Sequence, residues 1–422
     1  MVTGSEYVFE NIDEAIAYVL DLEKKALAAD SNRQKPIEVR TAPNLSLPPM
    51  PVDTLSYPYS SWFNGASDDK FIMTRLLSGR FSLKPNLTSR KFLFRGETEF
   101  HNPCKPSVFR NTGQHRFTAE NVRGQELKIL MMSHPLVELL DTGVELCGKE
   151  YQFEMNLYGL TQHYYNKTSL FDLTSDPNVA AFFATTEYND KTDTYTPITD
   201  DNHAPGVLYY YYLDIKEDFG KSVGPVDSRL STIGLQVFPR SGRQKGFLYN
   251  LTPKENFNDV VRLQAVFFKH KADISTRICA EFENGKTLFP DDILERHWKR
   301  EYKDSNVISN RTVLMNKIDN PYMTLGQVEA EVRSLGFDIK DYRPVFNVDE
   351  LDSYYDAVHT KGFWTDFCEQ IYIPGDTSGA MMNDLVNLPN NPKYHWAFTR
   401  EDGHVPDYSK GLLFRKYRTC LE

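Results

Sequence analysis

The segment 168–184 constrains the fold of this chain more than any other part of it. Residues 168–174 alternate between polar and apolar side chains, which is the two-residue period of a strand. The pair Asp176-Pro177 follows at once and is typical of a helix N-cap and first helical turn. Residues 178–184 read as a buried helix whose small side chains let it lie close against a sheet, namely Ala180, Ala181 and Ala184. The segment therefore predicts a strand that leads directly into a helix packed on the same sheet.

Four further segments have the composition of strands. They are 91–96, 206–214, 240–249 and 260–269, and the second of them contains four consecutive tyrosines. We expect all five strands to be neighbours around one cleft, with the helix at 178–185 packed beside it. Because strands and helices are mixed without strict βαβ alternation, the predicted fold class is α+β.

Helices and loops are predicted outside these strands. Apolar spacing predicts a helix over 12–27, and the capping-box pattern Thr324-x-x-Gln327 predicts another that ends at Gly336. A short helix is predicted at 69–77. The proline-rich stretch 36–59 reads as an extended linker, and the polar stretch 190–205 reads as a surface loop.

Composition narrows the classes of function. The chain has 422 residues and a net charge of −10, and such an acidic surface argues against general coating of nucleic acid. It contains no apolar run long enough for a membrane span, and residues 1–10 lack the features of a secretory signal. The five cysteines form no CxxC pair, so neither a disulfide framework nor a zinc site is expected, and no metal ligands are predicted. We therefore expect a cytoplasmic protein with reduced thiols and no membrane association.

Four short motifs follow one another along the chain. Phe94-Arg95-Gly96-Glu97 precedes the segment 102–110, and Gln162-His163-Tyr164 opens the segment that runs through Thr174 to the helix at 178–184. The third motif, 239–248, contains Arg240 and Gln244, and the fourth, 284–291, reads NGKTLFPD. Taken in this order, the motifs resemble the FRG domain family, named for its Phe-Arg-Gly signature, over about half of the chain.

Three positions depart from the family pattern. Ser169 stands where arginine is common, Tyr165 stands where a glycine follows the QHY residues, and Cys104 stands where an apolar residue is usual. None of these positions is central to the pattern, but Ser169 could alter contacts to a substrate.

The FRG pattern is in turn similar to the Arg-Ser-Glu branch of the ADP-ribosyltransferases. Arg95-Gly96 matches the Arg-Gly pair that ends the first strand there, and Asp172 and Thr174 fall on the two serines of the S-x-S strand. Gln244 lies, by order alone, where the glutamate would be sought. The resemblance implies an ADP-ribosyltransferase-like mixed sheet around a cleft with flanking helices, and NAD⁺ as the substrate.

Cleavage of the N-glycosidic bond of NAD⁺ passes through an oxocarbenium-like ribose. A site for this reaction would have to anchor the pyrophosphate, hold the ribose and favour the positive charge of the transition state. Arg95 would grip phosphate with its planar fork, and Gly96 would let the ligand approach the backbone. Asp172 and Thr174 are two residues apart on a strand and point to the same face, so both would contact the ribose or the amide group of nicotinamide. The remaining residues of the predicted NAD-binding set are Tyr164 as a stacking ring, His163, Thr168 and Arg240.

Gln244 is the weak point of the predicted catalytic set. A neutral amide can hydrogen-bond a ribose hydroxyl but cannot offset positive charge, so Asp172 would have to supply the negative charge. Each site residue also has a structural interpretation: a buried ion pair for Arg95, caps for Asp172 and Thr174, core packing for His163, and a turn contact near Gly246 for Gln244.

The sequence predicts three parts: an N-terminal helix and extended segment at 1–80, an FRG domain at 81–304 and a C-terminal accessory region at 305–422. It supports three hypotheses of function. The first is an NAD-dependent enzyme that transfers ADP-ribose to a macromolecular acceptor or hydrolyses NAD⁺, in a toxin, effector or anti-phage role. The second is a catalytically silent FRG module that binds a nucleotide or a partner. The third gives target recognition to the C-terminal region and makes the FRG domain a sensor.

Overall fold

A seven-stranded mixed sheet forms the centre of the fold. The computed structural model describes residues 7–30, 36–37, 57–58, 69–76, 78–87, 89–110, 114–189, 191–214, 229–400 and 404–422. The strands of the central sheet are, in chain order, β1 (Val8–Phe9), β2 (Phe92–Glu97), β3 (Leu170–Thr174), β4 (Gly206–Tyr212), β5 (Leu230–Thr232), β6 (Gly246–Asn250) and β7 (Leu263–Phe268). Their order across the sheet is β1-β7-β4-β2-β3-β6-β5. The β1–β7 pair is parallel and the other pairs are antiparallel.

Helices surround this sheet and form much of the C-terminal region. They are α1 (Ile12–Ala29), α2 (Gln114–Met132), α3 (Pro135–Thr142), α4 (Leu157–His163), α5 (Pro177–Thr185), α6 (Arg240–Arg243), α7 (Ala272–Glu281), α8 (Ile293–Glu301), α9 (Asn310–Asp319), α10 (Leu325–Ser334), α11 (Val348–Val358), α12 (Lys361–Gln370), α13 (Ala380–Val386), α14 (Leu412–Lys416) and α15 (Arg418–Leu421). The mixture of helices with a mixed sheet confirms the α+β class. None of the described helices has both the length and the apolar character that a membrane span requires.

Smaller ladders flank the central sheet. Phe71–Arg75 pairs with Phe81–Pro85 and with Ile371–Tyr372. The other two-stranded ladders join Pro36–Ile37 to Tyr57–Pro58, Val144–Leu146 to Lys149–Tyr151, Thr186–Asn189 to Thr194–Pro197, and Val307–Ser309 to Asp338–Lys340.

The predicted strands are confirmed as five successive strands of one sheet, β7-β4-β2-β3-β6. The predicted helices α1, α5 and α10 are also present. Asp176 caps α5 by accepting the backbone N–H of Asn178 at 3.0 Å, and Thr324 and Gln327 form the expected capping box of α10.

Three local predictions are wrong. The segment 69–77 contains a strand instead of a helix, because Phe71–Arg75 pairs with Phe81–Pro85 on one edge and with Ile371–Tyr372, about 300 residues away, on the other. Within the predicted loop 190–205, Thr194–Pro197 is a strand paired with Thr186–Asn189, and its Tyr195 stacks on Phe289 with ring centroids 5.0 Å apart. The predicted strand 240–249 begins only at Gly246, since 240–243 form the helical turn α6. Most of the predicted linker 36–59 lies outside the described residues.

Gly96 sets the distance between α5 and the sheet. A Cβ atom at this position would lie 1.9 Å from the backbone oxygen of Ala180 and 2.7 Å from the Cβ of Ala184. Gly96 therefore has a packing role against α5, while its predicted role of letting a ligand approach the backbone stays a prediction. The small residues of α5 serve the close packing that the sequence indicated.

The region 305–422 packs on the preceding residues at several points. The buried carboxylate of Asp141 accepts the backbone N–H groups of Leu412, Leu413 and Phe414 at the start of α14. On the preceding helix α2, Glu126 accepts the backbone N–H of Ser309 at 3.1 Å. The described structure thus joins this region to the domain before it, while the predicted boundaries at 80 and 304 stay predictions.

His134 is buried where α3 meets the C-terminal region. Its Nδ1 accepts the backbone N–H of Leu136 at 3.2 Å, and its ring packs edge-on against Phe238, Phe346 and Tyr354. Burial lowers the pKa of His134 to about 3, because the apolar surroundings disfavour the charged ring.

The low pKa of His134 predicts a loss of stability in weak acid. The unfolded chain binds a proton near the ordinary histidine pKa of about 6.5, whereas folded His134 stays neutral until about pH 3. Lowering the pH from 7 to 5 should therefore lower the free energy of unfolding by about 2 kcal/mol through this residue. His134→Asn keeps an N-cap acceptor without titrating, so it should lose this part of the pH dependence. Urea unfolding of both proteins at the two pH values measures it, and an unchanged dependence in the variant would contradict the assignment.

Gly96→Ala should destabilise the fold by about 3 kcal/mol, because the added methyl group would overlap a backbone oxygen of α5. Gly326→Ala in α10 is the matched control, since nothing lies within 4 Å of the Cβ position there. That control should be neutral or slightly stabilising. Urea unfolding compares the two variants, and equal stability would show that α5 does not require glycine at position 96.

Candidate functional site

The central sheet opens between β2 and β3. Among the described residues these strands share one ladder pair, Phe94 with Thr174. On their outer edges, β2 is paired to β4 through Glu97, and β3 is paired to β6 from Leu170 to Thr174. Within the described part of the chain the two strands therefore share no further ladder pair beyond Phe94, and we call this opening in the sheet the cleft.

Arg95 spans this cleft. Its Nη1 donates to the backbone oxygen of Asp172 at 2.8 Å, and its Nε and Nη2 lie 2.8 and 2.6 Å from Glu97 Oε1. The guanidinium lies over the ring of Phe171, 4.6 Å from the centroid. Burial opposes the charge, but the carboxylates of Glu97 and Asp172 favour it, and the net effect raises the pKa of Arg95. The side chain keeps 18% of its surface exposed, so a ligand in the cleft could contact it.

Asp172 lies on the other side of the cleft and is held by α4. Its Oδ2 accepts the side-chain N–H of Gln162 at 2.6 Å, and Gln162 in turn accepts the hydroxyl of Thr168. The side chain of Asp172 is 43% exposed, which leaves it open to a ligand. Thr168 therefore orients Asp172 through Gln162, a more indirect role than the ligand contact predicted for it.

His163 lies beside this carboxylate. Its Nε2 is 3.8 Å from Asp172 Oδ1, and neither atom has a hydrogen-bond partner of good geometry among the described residues. Burial lowers the pKa of His163, so the ring is neutral near pH 7 and can accept a proton or a hydrogen bond. These two buried atoms lack hydrogen-bond partners within the described residues, and a ligand bound in the cleft would be able to supply them.

Thr174 and Gln244 are engaged elsewhere. The hydroxyl of Thr174 donates to the backbone oxygen of Gln244 at 2.7 Å and accepts the N–H of Asp176 at 3.0 Å. The amide of Gln244 is buried and donates to the backbone oxygen of Leu288 at 3.2 Å. In this structure both side chains connect the motifs to one another: Thr174 joins the second motif to the third, and Gln244 joins the third to the fourth.

Tyr164 and Arg240 lie in the core behind the cleft. Tyr164 is fully buried, and its hydroxyl donates to Asp292 Oδ2 at 2.6 Å. Arg240 is 1% exposed, donates to the backbone oxygen of His163 at 3.1 Å and forms an ion pair with Glu295. The structure places both side chains in the core, and their predicted contacts with NAD⁺ stay predictions.

Three residues of the cleft were missing from the predicted site. Glu97 is two positions after Arg95 on β2, so the strand period alone would have placed both side chains on one face. Gln162 was quoted only as part of a motif, and nothing local indicates that it binds Asp172. Arg110, at the end of the segment after the FRG strand, lies 3.9 Å from Glu97 and adds a second cation.

The cleft thus combines two guanidinium groups, two carboxylates and a neutral imidazole. Guanidinium groups suit phosphate, carboxylates suit hydroxyl groups and developing positive charge, and the imidazole can accept a proton. The described residues contain no group of three or more histidine, cysteine or acidic side chains arranged to hold a metal.

Comparison with known proteins identifies the part of the chain that carries this cleft. Residues 90–193 match the FRG domain, a range that includes Arg95, Glu97, Gln162, His163 and Asp172. Arg240 and Gln244 lie beyond the matched residues. No curated protein and no solved structure matches the chain. The chain therefore contains an FRG domain, and the cleft between β2 and β3 lies inside it.

Proposed function

We propose that this protein is an NAD-dependent enzyme related in mechanism to the ADP-ribosyltransferases. It would transfer ADP-ribose from NAD⁺ to a macromolecular acceptor, or to water, with release of nicotinamide. The observation that carries the proposal is the opening of the sheet at Arg95, with an incompletely satisfied carboxylate and imidazole, Asp172 and His163, on the other side.

The residues of the cleft suit the two ends of the bond that breaks. Arg95 would hold the pyrophosphate through its remaining N–H groups, because a guanidinium has five and three are used within the protein. Asp172 would lie against the ribose, where its charge favours the oxocarbenium-like transition state. This assignment gives Asp172 the role for which Gln244 is chemically unsuited, since the amide of Gln244 is buried against Leu288.

The reaction would then proceed in two balanced steps. The bond between C1′ of the ribose and the nicotinamide nitrogen breaks, and neutral nicotinamide leaves with the bonding electron pair. A hydroxyl, amine or water oxygen attacks C1′ and gives up a proton, which neutral His163 Nε2 can accept because Asp172 lies 3.8 Å away to stabilise the imidazolium. The products are nicotinamide and ADP-ribose, either free or attached to the acceptor.

An ADP-ribosyltransferase-like arrangement of the sheet is part of this proposal. A mixed sheet that opens at its central strands, with α5 packed beside the opening, supports it. Consumption of NAD⁺ would suit a toxin, an effector or an anti-phage protein. Such an enzyme would act in the cytoplasm, where NAD⁺ and reduced thiols are present.

A catalytically silent binding module is the second candidate, and one observation favours it. Glu97 already pairs with two nitrogens of Arg95, so an incoming phosphate would have to compete with a carboxylate of the protein. In that case the cleft would bind a nucleotide or a partner without cleaving it, and the wild-type protein would release no nicotinamide.

Arg95→Ala should lower the rate of nicotinamide release from NAD⁺ by about 10²–10³-fold, because a charge-assisted contact used in the transition state is lost. Arg95→Lys should fail as well, since a point charge cannot reproduce the planar fork. Arg229→Ala is the matched control: Arg229 also pairs with a glutamate, Glu255, but lies at the surface. Thermal unfolding measured in parallel separates the interpretations, because a purely structural Arg95 would lower the melting temperature without a specific loss of turnover. A stable Arg95→Ala protein with normal turnover would refute the assignment.

Asp172→Asn should lower kcat about 100-fold or more with a small change in KM, since it removes charge needed chiefly in the transition state. Asp176→Asn, a few residues away at the N-cap of α5, is the control. It makes the same change of charge, and asparagine caps helices as well as aspartate does, so turnover should be normal. If the two variants have equal activity, Asp172 does not take the place of the missing glutamate.

A further inference from the structure

A second concave site lies between α2, the turn after α4 and the C-terminal region. It is a cavity of about 430 Å³, within the usual range of small-molecule sites. None of the cleft residues Arg95, Glu97, Gln162, His163 and Asp172 lines it. The cavity is therefore a separate site, and its occupant need not be the substrate of the cleft.

Tyr165 forms part of its wall in an unusual backbone conformation. Its φ of 69° lies in the left-handed region, which glycine adopts readily and tyrosine rarely. The surroundings compensate: the hydroxyl donates to Glu295 at 2.7 Å, and the ring stacks on Trp298 with centroids 4.3 Å apart and planes at 25°. A bulky ring held in a conformation that suits glycine indicates that the ring itself has a use at this place.

The rest of the wall is also aromatic. Tyr302 and Phe337 line the cavity together with the stacked pair Tyr165 and Trp298. Such rings offer flat faces that favour another planar ring, largely without regard to its identity.

Three cationic side chains complete the lining, those of Arg123, Lys167 and Lys303. In the part of the chain that the structure describes, none of them forms an ion pair with a carboxylate, and Arg123 lies 5.7 Å from the centroid of the Phe337 ring. Three cations without a protein counter-ion around one cavity create a positive potential, although the chain as a whole is acidic.

The lining also contains two acidic side chains, Glu120 and Glu126, which reduce this potential, but the three cations outnumber the two carboxylates. Glu126 is 1% exposed and accepts hydrogen bonds from Ser309, Thr312 and Tyr342. Glu120 accepts the backbone N–H of Lys167 at 3.2 Å. These carboxylates are bound by N–H and O–H donors of the protein, so the cations remain available to an anionic ligand.

We infer that this cavity binds a planar aromatic anion of the size of a nucleoside monophosphate. The aromatic wall around Tyr165 takes the base, and Arg123, Lys167 and Lys303 take the phosphate. This site goes beyond the function proposed for the cleft and does not depend on it, because binding here requires no turnover of NAD⁺.

Isothermal titration calorimetry on the full chain tests the inference with three probes, AMP, adenosine and inorganic phosphate. AMP should bind, and the other two should bind at least about tenfold more weakly, because each retains only one half of the contacts. Lys303→Glu should weaken AMP about tenfold or more through loss and reversal of one charge. Lys340→Glu is the matched control, since Lys340 is exposed on a neighbouring strand and does not line the cavity.

Two further variants locate the bound AMP. Tyr165→Phe keeps the ring and should keep the affinity, whereas Tyr165→Gly suits the backbone but removes the wall and should weaken AMP about tenfold. Their melting temperatures show whether each variant is folded. Arg95→Ala should leave AMP affinity unchanged, which distinguishes this cavity from the cleft. The inference is overturned if AMP does not bind at millimolar concentration, if Lys303→Glu and Lys340→Glu weaken it equally, or if Arg95→Ala abolishes binding.

Discussion

The buried charge of Arg240 holds the second and third motif segments of this protein and the helix α8 together. Its guanidinium donates to His163 at the end of α4 and pairs with Glu295, on α8, while Asp292 lies 3.9 Å away. Removing such a cation from water is costly unless acceptors surround it. The end of α4, the turn α6 and the start of α8 must therefore assemble together, and β3 and β6 are positioned next to them.

This constraint explains why several motif residues have a structural use. Tyr164 and Arg240 belong to the buried ionic network, and Thr174 and Gln244 connect β3 to the segment that contains Leu288. The residues open to a ligand are fewer, chiefly Arg95 and Asp172. The short motifs of the FRG pattern thus combine residues that stabilise the fold with residues of a small polar cleft, and the sequence alone does not distinguish the two groups.

The turn after α4 also lies between the two candidate ligand-binding sites, the cleft and the cavity. His163 lies beside Asp172 in the cleft, Tyr164 is buried, and Tyr165 reaches the cavity beside the C-terminal region. The left-handed backbone of Tyr165 turns the chain sharply at this point. Both proposed sites therefore rest on the same buried network, although they share none of the residues that would contact ligand.

The sequence by itself determined the local units. The strand β3 and the helix α5 were predictable because alternation, the cap at Asp176 and small residues act over short distances, and the strand period would also have paired Arg95 with Glu97. Only the tertiary structure decided that β2 and β3 share a single pair, and that the hydroxyl of Thr174 is bonded to Gln244, 70 residues away. The physical reason is that a residue pattern reports the conformation of the backbone nearby, whereas burial and hydrogen-bond partners depend on segments that meet only when the chain folds.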